Sequence, residues 1–372
     1  SYKDAPEGRP FFYVKNYYTS HESRIWLRKN KPMTVLPENV VVPDYYADLP
    51  IVREGIARKY SNIEALDKEV GQLLDQLEKD GVLDNSVVFF WSDHGGNLLR
   101  QKRAVGESGL HVPLLVRYPN GFRAGETDTR IVSLMDLGPT VLSILGIEPP
   151  KYMDGKAFAG PYQQAARRYI FGSADRFDEC TDMQRSVLDG RYVYIKNFMP
   201  ELPLIYRNKY REQIPMNKRL IELNIAGKLH GDAAYIFMPK KPIEELYDLE
   251  TDPYEVNNLA NNPDYSEKLK ELRSQLSQWQ IEIKDRGFTP ESEIINEFWP
   301  DMKQPITADV EIEINNNILT LSCETEGASI AYQLGSSIGF NYWQLYSKPV
   351  SIKSNEKISA RAIRIGYKAS KI

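Results

Sequence analysis

The 372-residue sequence predicts an α/β domain, a mixed sheet flanked by helices, followed by a smaller α+β subdomain and a small C-terminal β-sandwich. Three observations carry this. Strand, polar loop, helix and strand patterns follow one another over roughly the first 150 residues, the rhythm of an α/β domain. Val87-Val88-Phe89-Phe90-Trp91 is an unbroken apolar run, as in a strand covered on both faces. Beyond residue 306 no helical period appears, and Val310, Ile312 and Ile314 alternate with Glu311 and Glu313.

Element by element, Pro10-Phe11-Phe12-Tyr13-Val14 reads as a buried strand that delivers the polar cluster Thr19-Ser20-His21-Glu22-Ser23 at its end. Ile56, Tyr60, Ile63, Leu66, Val70, Leu73 and Leu77 keep spacings of three and four, which predicts an amphipathic helix over 50–79 with Gly81 as its stop. After the apolar run comes Ser92-Asp93-His94-Gly95-Gly96, and Val112 to Tyr118 is a further strand with Pro113 near its start, where a missing N–H is tolerated. Pro139 opens a helix that Gly146 closes. These elements make up a first domain over 1–164.

The second region, 165–300, has a strand at Tyr192-Val193-Tyr194-Ile195 and a helix marked by Leu269, Leu272, Leu276, Trp279 and Ile283, with Asp264 and Glu267 as its expected capping box. Phe298-Trp299-Pro300 to Pro305 reads as a linker. Residues 306–372 form the β module, where Leu319, Leu321 and Cys323, then Ile358, Ala360 and Ala362, repeat the alternation.

Composition excludes several classes. With 47 basic and 51 acidic residues the net charge is −4, and no long basic block offers the clustered cations that a dedicated nucleic-acid binder needs. Apolar runs stop at about five residues, against roughly 20 for a membrane helix. Cys180 and Cys323 form no C-x-x-C, so neither a zinc knuckle nor a redox motif is available, and the four histidines, His21, His94, His111 and His230, form no H-E-x-x-H. The start, Ser1 to Pro6, has neither a basic nor an apolar leader region, so the expectation is that a signal has been removed or that more chain once preceded it.

The chemistry concentrates in Asp93-His94-Gly95-Gly96. In open α/β sheets ligands bind beyond the carboxyl ends of strands, and here a carboxylate and an imidazole sit side by side at such an end. The glycines allow a tight turn and a close approach. Lys102 follows eight residues later within Arg100-Gln101-Lys102-Arg103. A pair of metal donors followed by a cation is what holding a tetrahedral oxyanion requires. His21, at its own strand end, is placed to contact that anion or to donate a proton.

With these motifs the chain resembles the sulfatases of the alkaline-phosphatase superfamily, the heparan N-sulfatase-like members most closely. The resemblance is carried by Pro10-Phe11-Phe12 with Thr19 to Ser23, by Ser92-Asp93-His94-Gly95 with Lys102, and by Gly109-Leu110-His111-Val112-Pro113-Leu114. Leu134 to Thr140, Arg185-Ser186-Val187 with Tyr192 to Asn197, and Glu245 to Leu249 through Asp252-Pro253 to Asn258-Leu259-Ala260 extend it over roughly residues 9–290. It implies that Asp93 and His94 ligate calcium or another divalent ion, with histidine where many relatives have asparagine. It implies further that Lys102 and His21 contact the sulfate, Arg103 or Arg100 replacing Lys102 if the register slips. His111 is expected to be structural, and His230 lies in no motif. A periplasmic or secreted location is implied by the resemblance alone.

One departure matters. Sulfatases of this type carry a C-x-P-S-R or related motif whose Cys or Ser becomes formylglycine; here Cys180 sits in Glu179-Cys180-Thr181-Asp182 and Cys323 in Ser322-Cys323-Glu324. The expectation is therefore a C-terminal portion of a sulfatase, with the nucleophile and further metal ligands on a missing N-terminal segment of the same protein. For the substrate, Asp175-Arg176-Phe177-Asp178-Glu179 with Asp182 and Arg185 also resembles a stretch of the heparan N-sulfatase-like sequences. Arg176, Asp178 and Arg185 are the expected contacts to a sulfated amino sugar, since Arg offers carboxylates a bidentate fork. Tyr342, Trp343 and Tyr346 are read as core or spacer residues rather than a sugar platform. A phosphodiesterase or phosphonate hydrolase of the same superfamily and a non-catalytic carbohydrate- or partner-binding chain are the alternatives.

Overall fold

The computed structural model describes residues 2–5, 8–335 and 343–372. Residues 1–284 and 285–372 form two compact units.

The first unit contains, in chain order, helix α1 (Ser23–Leu27), helix α2 (Pro50–Lys79), strand β1 (Val88–Trp91), helix α3 (Glu107–Leu110), strand β2 (Leu114–Arg117), helix α4 (Leu137–Ile144), strands β3 (Ile170–Phe177), β4 (Cys180–Leu188) and β5 (Tyr192–Asn197), helices α5 (Pro215–Ile225) and α6 (Asp232–Tyr235), strand β6 (Glu244–Asp248) and helix α7 (Ser266–Glu282). Pro50 opens α2 at a position where its missing N–H costs nothing. Gly81, at φ 70°, ends it by accepting the left-handed turn that a side chain would disfavour. The buried face of α2, Val52, Ile56 and Ala57, packs in one core with Met216 and Leu220 of α5 and with Leu98 and Leu99. At Gly55 a Cβ would lie 2.4 Å from the Met216 sulfur, so the absence of a side chain there sets how closely the two helices approach.

Strands β3 to β6 form an antiparallel meander in sequence order, with an irregular register between Ala174 and Arg176. One face carries Val187, Tyr194 and Leu246 against Leu269, Leu272 and Leu276 of α7, and Phe171 stacks on Trp279 at 4.9 Å. Opposite, Val105 packs with Ala174, Val193, Ile195 and Tyr247. The segment between β1 and β2 thus puts Leu98 and Leu99 in the helical core and Val105 in the sheet core.

Three expectations change. Pro10 to Val14 forms no strand and is exposed, Phe12 at 78%, because no strand among the described residues pairs with its backbone. The run at β1 is half-buried, not covered on both faces: β1 pairs only with β2, antiparallel, and Trp91 is 40% exposed. The capping box of Asp264 and Glu267 does not form. Asn262 accepts the Asp264 N–H instead, starting a 3-10 turn that runs into α7.

In the second unit, helix α8 (Glu291–Phe298) precedes strands β7 (Glu311–Asn315), β8 (Ile318–Ser322), β9 (Ser329–Leu334), β10 (Gln344–Leu345), β11 (Val350–Ser351) and β12 (Ile358–Ile363). They form two three-stranded sheets, β11-β8-β7 and β10-β9-β12, around Leu319, Leu321, Ile330, Tyr332, Ala360 and Ala362. Asn316 and Asn317 both take positive φ in the β7–β8 hairpin, the backbone that a two-residue turn of matching twist requires. Edge strand β7 is exposed throughout, so Ile312 and Ile314 alternate in sequence without being buried. The stretch expected to link the modules lies within this unit, where Trp299 Nε1 donates to the Gly366 carbonyl at 2.8 Å. Tyr346 packs edge-on against Tyr332; Tyr342 lies outside the described residues.

With a core of its own in each unit, Leu319→Ala should lower the stability of residues 285–372 by about 2–5 kcal/mol and leave the unfolding of residues 1–284 unchanged. Calorimetry of the full chain and of a chain ended at Lys284 checks this; a single transition that moves as a whole would mean that the two cores unfold as one.

Candidate active site

The segment from Ser92 to Leu110 is tied to itself by backbone bonds. Gly95 N–H donates to the Gly109 carbonyl at 2.8 Å, Gly96 N–H to that of Ser108 at 3.3 Å, and Lys102 N–H to that of Gly96 at 2.6 Å. The glycines serve close approach: a Cβ at Gly95 would stand 2.1 Å from the Ser108 carbonyl oxygen, and one at Gly96 2.0 Å from Gln101 Oε1. Arg100 and Arg103 carry the left-handed conformations, at φ 62° and 76°. Such residues cost about 1–3 kcal/mol each unless the surroundings hold them. Arg100 is held strongly. Its guanidinium donates to the carbonyls of Tyr254, at 2.7 Å, and Glu255, and it lies over the ring of Tyr45 at 5.2 Å.

Glu22 is the hub of the cluster. It is 1% exposed, and its carboxylate accepts Lys102 Nζ at 2.8 Å and both Arg103 Nη atoms at 3.3 and 3.4 Å. Burial alone would raise its pKa, but the Lys102 and Arg103 cations prevail and hold it below the usual 4.5. Asn97 Nδ2 donates to the Ser20 carbonyl at 2.8 Å, a second tie between segments 77 residues apart.

His21 has a defined tautomer. The Ser23 backbone N–H, which can only donate, points to His21 Nδ1 at 3.3 Å, so a neutral ring carries its proton on Nε2. Partial burial, then the Lys102 charge, and also that of His94, keep the imidazole pKa below 6.5, whereas Glu22 pulls the other way. His94 is set in the opposite sense. Its Nδ1 lies 2.9 Å from the Gly95 carbonyl, an acceptor, so the proton is on Nδ1 and Nε2 presents a lone pair 3.6 Å from Asp93 Oδ1. Asp93 is exposed, its side chain at 86%. Two donors bound side by side to one ion at calcium–oxygen lengths stand about 3.4 Å apart, so the spacing of this pair fits two neighbouring positions of a divalent-ion shell. Among the described residues no group of three or more His, Cys, Asp and Glu converges to complete it.

Lys102 and Arg103 reach the rim of a cavity of about 70 Å³ against the β3–β4 face. Of the expected substrate contacts, Asp178 bonds two lining residues, its Oδ2 accepting Arg103 Nη2 at 3.2 Å and Asn208 Nδ2 at 2.8 Å, without itself lining the cavity. Arg185 is 1% exposed and holds Asp175 at 2.8 Å, so its guanidinium is enclosed beneath the surface. Arg176 is exposed on β3 and does not line the cavity. His111 is exposed and pairs with Glu107 one turn away, and His230 lies apart. Sequence reasoning did not find Glu22 or Arg211. Glu22 stands within the quoted cluster, yet only the fold brings Lys102 to it; Arg211 lies in a polar stretch with no motif.

Residues 2–147 carry a domain that matches the family model described as Sulfatase. It is 40% identical over 361 residues to an ulvan-active sulfatase of Formosa agariphila, covering 96% of this chain and 61% of that protein. It is 28% identical over 291 residues to human N-sulphoglucosamine sulphohydrolase, covering 74% and 57%. The solved complex of BT4656 with its substrate D-glucosamine-2-N,6-O-disulfate superposes with a TM-score of 0.46 at 20% identity, over 66% of this chain and 45% of that one. The chain therefore spans about three-fifths of the length of these two curated relatives.

Two stability measurements test the cluster. Glu22→Ala leaves two cations without their buried anion and should cost about 3–5 kcal/mol. Because the Glu22 pKa is depressed on folding, its contribution is complete above pH 4.5 and is lost as pH falls through the depressed value; denaturant titrations from pH 7 to 3 should show Glu22→Gln losing that part of the acid dependence. Glu255 behaves oppositely. Burial is the main cause raising it, to about 7, although Arg100 opposes the rise. A raised carboxyl favours the folded state below 4.5 and loses that contribution as pH rises through 7, so Glu255→Gln should flatten the stability profile between pH 5 and 8.

Proposed function

We propose that the whole protein hydrolyses sulfate esters or sulfamates of sulfated carbohydrate, heparan-type amino sugars being the expected class. In this reading Lys102 and His21 hold the sulfate. The observation that carries it is the grouping of three side chains: His21, with an N–H on Nε2, feels the charges of Lys102 and His94, and His94 presents a lone pair on Nε2 beside Asp93. The activities named for the relatives, an ulvan-active sulfatase and an N-sulphoglucosamine sulphohydrolase, support the substrate class.

Each residue has a separable task. Lys102 Nζ, set by Glu22, places a full charge on the sulfate oxygens; such preorganised donors are worth more as charge develops than in the ground state. His21 Nε2–H donates to a second oxygen. With its pKa below 6.5 it acts at neutral pH as a hydrogen-bond donor, not as a standing acid. Asp93 and His94 would hold the divalent ion, calcium in this reading, which when bound supplies Lewis-acid polarisation of a sulfate oxygen. The attacking nucleophile, a formylglycine, is assigned to a segment outside these 372 residues, since neither cysteine lies in a modifiable motif. That segment would also supply the remaining metal ligands and is the reading's partner for the exposed apolar residues Phe12, Val14, Trp91 and Leu115. No helix among the described residues is long and apolar enough to cross a membrane; a periplasmic or secreted location belongs to this proposal.

The 372-residue chain alone should not turn over 4-nitrophenyl sulfate, and joining it to an upstream segment bearing C-x-P-S-R should bring activity. In that longer protein Lys102→Ala and His21→Ala should lower kcat by about 10²–10³-fold with the metal retained. Asp93→Ala should lose metal and activity together, measured by elemental analysis. Turnover by the short chain that Asp93→Ala abolishes would refute the assignment of the nucleophile, and preference for a phosphonate ester would refute the sulfatase reading.

A further inference from the structure

The cavity beside Lys102 contains a buried cation that the sulfate-binding groups do not explain. Arg211 is 6% exposed and lines this cavity. Its guanidinium donates Nη2 to the Tyr206 carbonyl at 2.8 Å, and among the described residues no carboxylate stands within ion-pair distance of it. Burial, reinforced by the nearby Arg103 charge, lowers its pKa, although Tyr46 and the more distant Glu22 carboxylate pull the other way. A buried cation without a counter-ion costs several kcal/mol, and such a cost is found where a ligand later offsets it.

The carboxylates around the same cavity are already occupied. Asp182 accepts Lys241 Nζ at 2.7 Å, and Asp175 accepts Arg185 Nη1 at 2.8 Å. Glu245 accepts Asn197 Nδ2 and the Tyr247 hydroxyl, each at 2.6 Å. Glu255 accepts the Glu107 N–H at 2.8 Å and, raised to about 7, is only partly charged at neutral pH. Arg103 shares Glu22 with Lys102 through contacts of 3.3 and 3.4 Å and gives Nη2 to Asp178 at 3.2 Å, so its charge is spread over two carboxylates. Arg211 is the lining cation that no carboxylate among the described residues meets directly, and the cavity's volume of about 70 Å³ has room for several waters, or for one oxyanion group in their place.

We propose that Arg211, with Arg103 beside it, forms a second anion subsite that takes a further oxyanion of the sugar, a carboxylate or a second sulfate, next to the sulfate held at Lys102. The proposal rests on the sulfatase reading for the placing of the first sulfate. It makes Arg211 a specificity residue: sugars whose one anionic group is the sulfate at Lys102 leave the buried guanidinium unpaired, and a site built to pair with a group discriminates strongly against a ligand that lacks it. Planar geometry matters, since Arg meets carboxylate and sulfate oxygens with two parallel N–H bonds where Lys offers a point charge.

Calorimetric titration of the 372-residue chain with sodium glucuronate, with glucosamine 2,6-disulfate and with glucosamine 6-sulfate tests this without any turnover. Arg211→Gln should weaken binding of the doubly charged or uronate ligand by about tenfold or more, while glucosamine 6-sulfate is little affected; Arg211→Lys should fall between. A loss confined to glucuronate identifies a uronate carboxylate, and a loss confined to the disulfate identifies a second sulfate. The ligand-free Arg211→Gln protein should unfold at the same temperature as the parent or higher, because an unpaired buried charge has been removed. Unchanged affinities, no binding of either ligand by the parent, or a lowered unfolding temperature with affinities intact would overturn the subsite and make Arg211 a structural support. If Arg211→Gln does not fold, Arg211→Lys provides the same comparison of affinities. Should Arg211-dependent binding hold while the lengthened protein never cleaves a sulfate, the hydrolase reading fails and the subsite stands.

Discussion

One buried carboxylate organises the candidate site. Glu22 comes from the segment leading into α1 and meets Lys102 and Arg103 from a loop some 80 residues further along. Without it two cations would repel each other at the edge of a cavity that already contains Arg211. With it Lys102 and Arg103 are held together beside the cavity they line. The arrangement works because Glu22 is enclosed: in open water the same contacts would be worth little, whereas away from solvent each partner depends on the other.

The loop that presents Lys102 is anchored on both sides. Leu98 and Leu99 sink into the helical core and Val105 into the sheet core, and between them Arg100 reaches across to the backbone of residues 254 and 255. The left-handed backbone at Arg100 and Arg103 is the cost of presenting charged side chains from so short a span. A Gly at either position would relax the backbone and forfeit the charge. Rigid cores beneath and an internally bonded loop above are what a preorganised anion site requires.

Much of this was legible in the sequence, and the boundary of legibility has a physical cause. Asp93, His94 and Lys102 could be singled out as candidates because their spacing is local: one strand end and one loop carry them all. The helix over 50–79 followed from its period alone. Pro10 to Val14 misled, because an apolar run states that a segment seeks burial and says nothing of whether a neighbouring strand is there to meet it. Asp264 misled because a cap is a competition, and Asn262 with Pro263 starts its turn first. Glu22 and Arg211 were out of reach for a deeper reason. What sets Glu22 apart is the pair of cations it holds, and what sets Arg211 apart is the partner it lacks. Both are properties of three-dimensional surroundings.

The register shift between β3 and β4 has a consequence of another kind. Ala174 faces Gln184, but two residues on Arg176 faces Thr181, so an extra residue is accommodated in β4 between these pairs. Beyond that irregularity lies only the hairpin tip that carries Asp178 to Arg103. A bulge of this sort works as a joint at which chain can be added or removed, turning the tip by one side-chain position, while the sheet behind it and the Lys102 loop keep their places. Length changes over evolutionary time are therefore absorbed most cheaply here, which gives the protein a means of changing what the rim of its pocket admits while the machinery beside it stays the same.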